Sequence, residues 1–333
     1  MSRRAAWFLS WGLALAGCMV VQTSAVQAQG RAEAHVEAAR AAAGEHHTRI
    51  FQYLCRAPRP RQAPTARPPT SRPTAPRAVP DVSTWHAEPA KVFDNLYFLG
   101  TQSLNSYAVT TSAGIVIIDP LYDYNAQDEI VDGLEKLGLD PADISHVIVS
   151  HGHGDHYGGA RLLQERYGAK VLLSAADWDL IEASGSSQPK PERDVVVTDG
   201  QVLTVGDTEI TFTLTPGHTP GTLSTLMPVK DGNETHVAAL WGGTAMRASR
   251  EFYEAYAASA RKFAELAEKA GADIIISNHD IFDDAHAKIA ALAERRPGDP
   301  HPFVLGPEAT VSYMGVAEHC AMAGMARLQI ADD

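Results

Sequence analysis

The chain has 333 residues, of which 45% are hydrophobic, so it is long enough to bury a complete core in one large domain or two ordinary ones. Its formal net charge is −12, and residues 1–80 carry a net +8 from eleven Arg and three Glu, which leaves −20 for the rest. An acidic body argues against nucleic acid as a partner, because phosphate backbones require a basic surface.

Residues 1–28 have the pattern of an export signal. The basic start Ser2-Arg3-Arg4 precedes an apolar run over 5–21 and then small and polar residues. Cleavage after Ala28 would give a soluble periplasmic protein, whereas the lipobox-like segment ending at Cys18 would give a lipoprotein. We therefore predict export to the periplasm, with a lipid anchor at Cys18 as the one route to a membrane. In the alternative interpretation, Cys18 is only a small apolar residue of the signal.

Two segments of contrasting composition follow the signal. Residues 29–55 are rich in Ala and Glu, with apolar residues at helical spacing, and predict one or two short helices. Residues 56–84 begin with a stretch to Pro80 that holds eight Pro and six Arg but almost no large apolar residue. Such a composition cannot offset the entropy of ordering, so this segment is predicted to be an extended linker.

Two cysteines remain in the mature chain, Cys55 and Cys320, once Cys18 is removed or lipidated. Because an oxidising compartment permits their pairing, we predict a disulfide that joins the two ends of the mature chain. The alternative is two unrelated buried thiols, since the sequence does not give the Cα separation that a disulfide needs.

Residues 85–295 show β-type runs and helical segments in alternation, which predicts one layered α/β domain. Its first half contains predicted strands at 96–99, 106–111, 115–118, 146–150 and 171–174. Predicted helices lie near 127–137 and from Gly159 onward. Its second half contains strands at 195–198, 201–205, 208–215, 223–229 and 236–241, a helix at 251–269, a strand at 273–277 and a helix at 284–294. Two β-rich halves, each backed by helices, predict a sandwich of two sheets with outer helices. Residues 296–333 are predicted to be a helical extension, with a helix that begins at Pro307.

The segment Ser150-His151-Gly152-His153-Gly154-Asp155-His156 follows a buried-type strand and carries the strongest chemical signal. His151 and His153 can converge on one ion, because alternate residues of an extended backbone point the same way and neutral imidazole is a good zinc ligand. Asp155 and His156 offer an oxygen and a nitrogen to a second ion. The two intervening glycines are expected to prevent crowding of the cations and to permit unusual backbone angles, while Gly158 and Gly159 allow a helix to begin directly behind.

Two further histidines stand in settings that suit a metal site. His218 lies in the tight turn Thr215-Pro216-Gly217-His218-Thr219-Pro220-Gly221, directly after a predicted strand, where Pro and Gly fix its direction. His279 lies just beyond the apolar strand that ends at Ser277. Strand ends at one edge of a sandwich would bring all six donors together.

The His-x-His-x-Asp-His segment and the Thr-Pro-Gly-His-Thr-Pro-Gly turn resemble the metallo-β-lactamase superfamily over about 92–294. The resemblance implies a four-layer αββα sandwich. It is strongest to the third metallo-β-lactamase subclass, which implies two zinc ions per chain. His151, His153 and His218 would bind the first ion, and Asp155, His156 and His279 the second. That subclass lacks a bridging Asp, and no carboxylate stands in Leu240-Trp241-Gly242-Gly243-Thr244.

The reaction implied is attack of hydroxide on a carbonyl carbon, with Asp155 as a second-ion ligand that also orients the nucleophile. The substrate is expected to be a small molecule with an acyl or lactam carbonyl, first of all a β-lactam amide. The loop 244–250 is shorter than in the third subclass, so a lactonase or thioesterase is the alternative. A non-catalytic zinc-binding module is the second alternative, against which the complete set of six donors argues.

Several other residues admit a functional and a structural interpretation. Arg247 and Arg250 would meet a substrate carboxylate or would be solvated residues at the start of a helix. Tyr157 and Trp241 would line the pocket or pack in the core. The remaining histidines lack a comparable setting and are predicted to be structural or exposed: His35, His46, His47, His86, His146, His236, His286, His301 and His319.

Overall fold

The computed structural model describes residues 9–56, 79–243 and 245–332. The basic start of the predicted signal and most of the predicted linker lie outside these residues. The strands are β1 (Ala90–Phe93), β2 (Leu96–Phe98), β3 (Tyr107–Thr111), β4 (Gly114–Ile118), β5 (Ile144–Ile148), β6 (Lys170–Ser174), β7 (Val195–Val197), β8 (Val202–Val205), β9 (Thr208–Leu214), β10 (Leu223–Asp231), β11 (Glu234–Trp241) and β12 (Ile274–Ser277).

Helices make up most of the remaining described residues. The α-helices are α1 (Leu9–Ala43), α2 (Thr48–Leu54), α3 (Asp123–Ala126), α4 (Asp132–Lys136), α5 (Gly154–Tyr157), α6 (Ala160–Tyr167), α7 (Ala175–Ala183), α8 (Arg250–Lys269), α9 (Asp280–Asp283), α10 (Ala285–Ala293) and α11 (Pro307–Asp332). A π-helical turn at Gln127–Val131 joins α3 to α4, and 3₁₀ turns lie at Val82–Thr84 and Pro141–Asp143.

The strands form two sheets, and the carboxyl ends of several strands from each sheet lie at the same edge of the sandwich. The first sheet has the order β1-β2-β3-β4-β5-β6-β7, and the second has the order β12-β11-β10-β9-β8. Strands β4, β5, β6 and β7 are parallel to one another, as are β11 and β12. Strand β9 runs in the direction of β11, because β10 is antiparallel to both. The ends of β4, β5, β6, β9, β11 and β12 can therefore supply side chains to a common site.

Three layers of apolar side chains separate four layers of secondary structure. On β4, Val116 and Ile118 pack between the sheets, while Ile117 packs outward against the helices that follow. On β12, Ile276 faces the other sheet and Ile275 faces α8 and α11. This alternation follows from the two-residue period of a strand whose faces are both buried. The result is the αββα sandwich that the sequence predicts.

The first and last helices pack together on the outer face of the second sheet. Helices α1 and α11 approach closely through small residues, with Ala42 beside Gly315, and Arg31 donates a 2.7 Å hydrogen bond to Gln329. Cys55 and Cys320 form the predicted disulfide across a sequence separation of 265. None of the helices within the described ranges combines the length and the apolar character that a membrane span requires.

The sequence analysis located most strands and helices to within a few residues but missed several short elements, among them β1, α5, α7 and α9. Strand β1 is a four-residue edge strand, and α7 follows β6 directly, without a polar turn between them. Helix α7 begins at an N-cap, Ser174, whose side chain accepts a hydrogen bond from the amide of Asp177. It proves important, because Asp177 lies beneath the candidate site.

His47 is a buried structural histidine at the start of α2. Its Nε2 lies 2.7 Å from the carbonyl oxygen of Ala309 and donates to it, and its ring packs edge-on against Tyr313. Burial lowers the pKa of His47 to about 4. The folded protein therefore binds fewer protons than the unfolded chain between pH 4 and 6.5, so acidification through this window destabilises the fold.

We expect the free energy of unfolding to lose about 3 kcal/mol from His47 alone between pH 7 and pH 4. His47→Gln keeps an N–H donor without a charge, so its unfolding free energy should fall less steeply over this window. Urea unfolding at several pH values measures the difference. His46→Gln, which changes the exposed neighbour, should follow the wild type. Parallel curves for His47→Gln and wild type would contradict this assignment.

Candidate metal centre

The six predicted donors lie in two groups of three at the shared edge of the sandwich. His151, His153 and His218 form one group, and Asp155, His156 and His279 form the other. In each group the ligand atoms lie within 4.8 Å of one another. The His-x-His-x-Asp-His segment follows β5, His218 follows β9 and His279 follows β12.

The first group has the spacing of a tetrahedral zinc site. Nε2 of His218 lies 3.1 Å from Nε2 of His151 and 3.0 Å from Nδ1 of His153. Zinc–nitrogen bonds of about 2.0–2.1 Å at tetrahedral angles place two ligand nitrogens roughly 3.3 Å apart. The three nitrogens therefore suit one ion with only a small outward adjustment.

The second group combines two imidazoles with a carboxylate. Nε2 of His156 lies 3.2 Å from Nε2 of His279 and 3.4 Å from Oδ2 of Asp155, and the last two atoms are 3.9 Å apart. The two groups adjoin, because the ring centroids of His151 and His156 are only 4.1 Å apart. The donors therefore fit a pair of neighbouring cations.

Hydrogen bonds to Nδ1 orient two of the rings so that Nε2 of each faces its donor group. Nδ1 of His218 lies 2.6 Å from the carbonyl oxygen of Ala245 and donates to it, which leaves Nε2 without a proton on a neutral ring. Nδ1 of His156 lies 2.9 Å from Oδ2 of Asp119. Imidazoles whose other nitrogen is fixed in this way by a carbonyl or a carboxylate are typical of metal ligands.

The electrostatics of the donors favour a cation among them. Burial, helped by the neighbouring imidazoles, lowers the pKa of His218 to about 3 and that of His279 to about 4, so both rings are neutral at pH 7. Burial alone would lower the pKa of His156, but the charges of Asp155 and Asp119 raise it to about 10. A ring that holds a proton so firmly among carboxylates is placed to hold a metal cation instead, with release of that proton.

Two buried aspartates that the sequence analysis missed support the ligand loops. Asp119, directly after β4, accepts hydrogen bonds from the amide and the hydroxyl of Ser150, both 2.6 Å long. Asp177 accepts bonds from the amides of Gly152 and Gly221, both 2.8 Å long, and from the hydroxyl of Thr219 at 2.6 Å. Asp177 thus joins the loop of His151 and His153 to the turn of His218. Asp119 stands directly after a buried strand, as the donors do, whereas Asp177 lies in the first turn of α7.

The glycines act differently from the sequence-based expectation. Gly152 and Gly154 do not adopt positive φ angles. A Cβ atom on Gly152 would lie 2.9 Å from the carbonyl oxygen of Asp177, and one on Gly154 would lie 2.8 Å from Gln188, so the close approach is to protein atoms. Gly217 is the position that needs glycine conformationally. Its φ is 137°, and a Cβ atom there would meet the backbone of Tyr256 at 2.5 Å.

The other residues with two interpretations divide as follows. Tyr157 and Trp241 are fully buried in the outer cores, and Trp241 donates to the hydroxyl of Tyr256, so both are core residues. Arg247 is exposed, with its guanidinium 4.4 Å from the ring centroid of Phe252, and its charge contributes to lowering the pKa of His153, for which burial is the main cause. Arg250 pairs with Glu254 on the surface of α8.

Comparison with known proteins agrees with this geometry. The model of the metallo-β-lactamase superfamily matches residues 99–231. A probable polyketide biosynthesis zinc-dependent hydrolase, BaeB, of Bacillus velezensis is 30% identical over 112 residues, which are 34% of this chain and 44% of that protein. The chain spans about half the length of the curated relatives it matches.

Solved structures match over more of the chain. The Rm3 metallo-β-lactamase is 30% identical with a TM-score of 0.58, and the match covers 70% of this chain and 91% of that one. BJP-1, a subclass B3 metallo-β-lactamase of Bradyrhizobium japonicum, is 28% identical with a TM-score of 0.58, over 69% of this chain and 90% of that one. The resemblance recognised in the two His-containing motifs is thereby confirmed. The chain belongs to the metallo-β-lactamase superfamily of hydrolases.

Proposed function

We propose that this protein is an exported zinc-dependent hydrolase with a dinuclear metal site, and that its substrate is the amide of a β-lactam. The observation that carries the proposal is the meeting of five imidazoles and one carboxylate in two adjoining groups. Nitrogen-rich groups of this kind suit zinc, and the 3.0–3.1 Å nitrogen separations of the first group suit its tetrahedral geometry.

The residues divide the chemical work among them. Bound zinc supplies Lewis acidity and lowers the pKa of water from 15.7 toward about 7. His151, His153 and His218 would hold the first ion, and Asp155, His156 and His279 the second. Burial alone would raise the pKa of Asp155, but the positive charge of His156 and its hydrogen bond keep that pKa below its usual range, so this carboxylate is ionised at neutral pH. Asp155 is therefore suited both to bind a cation and to orient the attacking water by accepting its hydrogen bond.

Support from beneath keeps the ligands in place while substrate binds. Asp177 holds two ligand loops together, and Asp119 holds both the ring of His156 and the backbone at Ser150. Buried acceptors that take several N–H and O–H donors restrict the rotation of a loop, and loss of such support typically weakens metal binding by about 10–100-fold.

Two observations bear on the choice of substrate. The similar solved structures named above are metallo-β-lactamases, which favours a β-lactam amide. The short loop 244–250 and the likeness to BaeB, named as a hydrolase of polyketide biosynthesis, favour another acyl bond such as a lactone or thioester. We propose that the enzyme is exported, either with cleavage after Ala28 or with lipidation at Cys18. Both routes would place it in the compartment where β-lactams act.

The purified protein should contain two zinc ions per chain and should hydrolyse penicillins or carbapenems in a panel that also includes acyl-homoserine lactones and thioesters. His218→Ala and Asp155→Asn should each lose one ion, and turnover should fall at least about 100-fold, because each change removes a ligand. Elemental analysis and steady-state kinetics make the measurement. His146→Ala, which changes a histidine on β5 away from the donors, is the control.

The outcomes separate the alternatives. Turnover of lactones or thioesters alone would replace the β-lactam assignment. Two bound ions without turnover of any substrate would favour the non-catalytic zinc-binding module. Unchanged turnover in both ligand variants would reject the mechanism.

Asp177→Asn tests the support beneath the first ion. An amide offers only one acceptor oxygen, so at least one of the three donors now bound by Asp177 would lose its partner in a buried setting. We expect zinc affinity, measured by competition with a chelator, to fall about 10–100-fold. Asp179→Asn makes the same chemical change on the exposed face of α7, where the carboxylate pairs with Arg193, and this variant should bind zinc as the wild type does. Equal affinities for the two variants would refute the role of Asp177.

Arg247 is proposed to bind the carboxylate that penicillins and carbapenems carry. It extends from the same loop as Ala245, whose carbonyl oxygen accepts a hydrogen bond from His218. The positive charge of Arg247 contributes to lowering the pKa of His153, for which burial is the main cause. Arg247→Ala should raise KM for a penicillin on the order of tenfold with little change in kcat, because a charge-assisted hydrogen bond is lost. Arg247→Lys should recover part of the loss, and Arg250→Ala should have no such effect. A KM in Arg247→Ala equal to that of Arg250→Ala would exclude the contact.

A further inference from the structure

The sixth donor, His279, lies in a short connection between a strand and a helix. It is the second of the two residues between the end of β12 at Ser277 and the four-residue helix α9, which begins at Asp280. A helix of a single turn is not stable alone, so other parts of the chain must hold it. The backbone of His279 pairs with Leu104 in an isolated bridge, and the amide of Asp280 donates to the carbonyl oxygen of Ser103. The direction of the His279 side chain therefore depends on these contacts together with those that α9 makes.

One set of contacts holds α9 from the inside of the sandwich. Asp283, which is buried, accepts a 2.8 Å hydrogen bond from the amide of Ser277 and a 3.0 Å bond from the side chain of Asn105. Asn105 also donates to the carbonyl oxygen of Ser277, at 2.9 Å. These bonds tie the last residue of α9 to the last residue of β12, on either side of His279.

A second set of contacts holds α9 from the outside and comes from the N-terminal helices. The guanidinium of Arg49, on α2, donates to the carboxylate of Asp280 at 3.0 Å and also to the carboxylate of Asp284. Asp280 is 9% exposed and directly follows His279, while Asp284 has a left-handed backbone with φ of 56°. Tyr53, one turn along α2, packs edge-on against Phe282 with ring centroids 4.8 Å apart. Arg49 therefore forms ion pairs at both ends of α9, with its first residue and with the residue that follows its last.

The position of α2 is in turn fixed by the C-terminal helix. Cys55 follows α2 directly and is bonded to Cys320 of α11, and its carbonyl oxygen accepts a 3.0 Å hydrogen bond from Arg327. Ile50 and Leu54 are buried in the core that α8, α11 and the second sheet share. Residues 49, 55 and 320 all lie outside the residues 99–231 that the superfamily model matches.

We propose that Arg49 is a positioning residue for His279 and that the Cys55–Cys320 disulfide holds Arg49 in place, so that the affinity of the second donor group depends on the terminal helices. The proposal rests on the dinuclear site proposed above. Removal of Arg49 removes its ion pairs with Asp280 and Asp284 and thereby the outer support that α2 gives to α9. The first donor group makes no contact with Arg49 and should not respond.

The test compares Arg49→Ala with Arg31→Ala, which removes another arginine contact between the terminal helices without touching α9. Zinc titration of the full chain against a chelator measures the affinities of the two sites. We expect Arg49→Ala to weaken the second site about tenfold or more and to leave the first unchanged. Asp284→Asn should weaken the second site by less, and the double variant Cys55→Ala/Cys320→Ala should shift it in the same direction.

Hydrogen exchange of the metal-free chain, followed by mass spectrometry, supplies a readout independent of metal and turnover. Exchange should accelerate over 279–284 in Arg49→Ala and Arg49→Lys, more strongly in the first, while 151–156 stays as in wild type. If wild-type protein binds two ions and Arg49→Ala behaves like Arg31→Ala in both measurements, this proposal alone is overturned. If wild-type protein binds fewer than two ions, the dinuclear site fails and this proposal fails with it.

Discussion

The site depends on two buried carboxylates that join separate loops, because six ligand atoms drawn from three parts of the chain do not stay together unaided. Neutral imidazoles with lone pairs about 3 Å apart have no attraction for one another without a cation between them. Asp177 takes donors from the loop of His151 and from the turn of His218, and Asp119 takes donors from Ser150 and His156. Each bond is short and shielded from water, where a charged acceptor contributes more than a neutral one. The scaffold thereby meets the cost of assembling the donors before any ion arrives.

The sequence predicts which six side chains come together, because their chemistry and their setting coincide. Four metal-binding side chains after a buried strand have few other uses, and the turn around His218 is constrained by proline and glycine. The aspartates beneath them carry no such motif. Asp119 follows the apolar strand β4 as His279 follows β12, so the same criterion, a polar residue at the end of a buried strand, would have selected it. Asp177 could not be found in this way, since α7 starts without a turn signal and the donors to the Asp177 carboxylate lie 25 or more residues away in sequence.

The layers of the fold were predictable because burial on both faces leaves a clear trace in strand composition, as in Ile115–Ile118 and Ile274–Ile276. The reasons for single glycines were not. The sequence suggests that Gly152 prevents crowding of a cation. In the structure, however, a side chain at Gly152 would meet the backbone oxygen of Asp177. Only the packing of α7 against the ligand loop makes that contact, and packing between distant segments is the part of a structure that local patterns do not encode. The pairing of Cys55 with Cys320 was predictable from the compartment, but the ionic contacts of Arg49 next to it were not.

The terminal helices connect the proposed export of the protein to its proposed chemistry. Cys55 and Cys320 pair only where the environment is oxidising, which for an exported chain is after translocation. Their bond closes a loop of 265 residues, so it constrains the unfolded chain and also keeps α2 against α9 in the folded one. If Arg49 positions His279 as we propose, the second donor group reaches its full affinity only once this bond has formed. Zinc would then be bound as a pair in the compartment where the enzyme acts, while the first donor group, which Asp177, Ala245 and α8 support, makes no contact with Arg49.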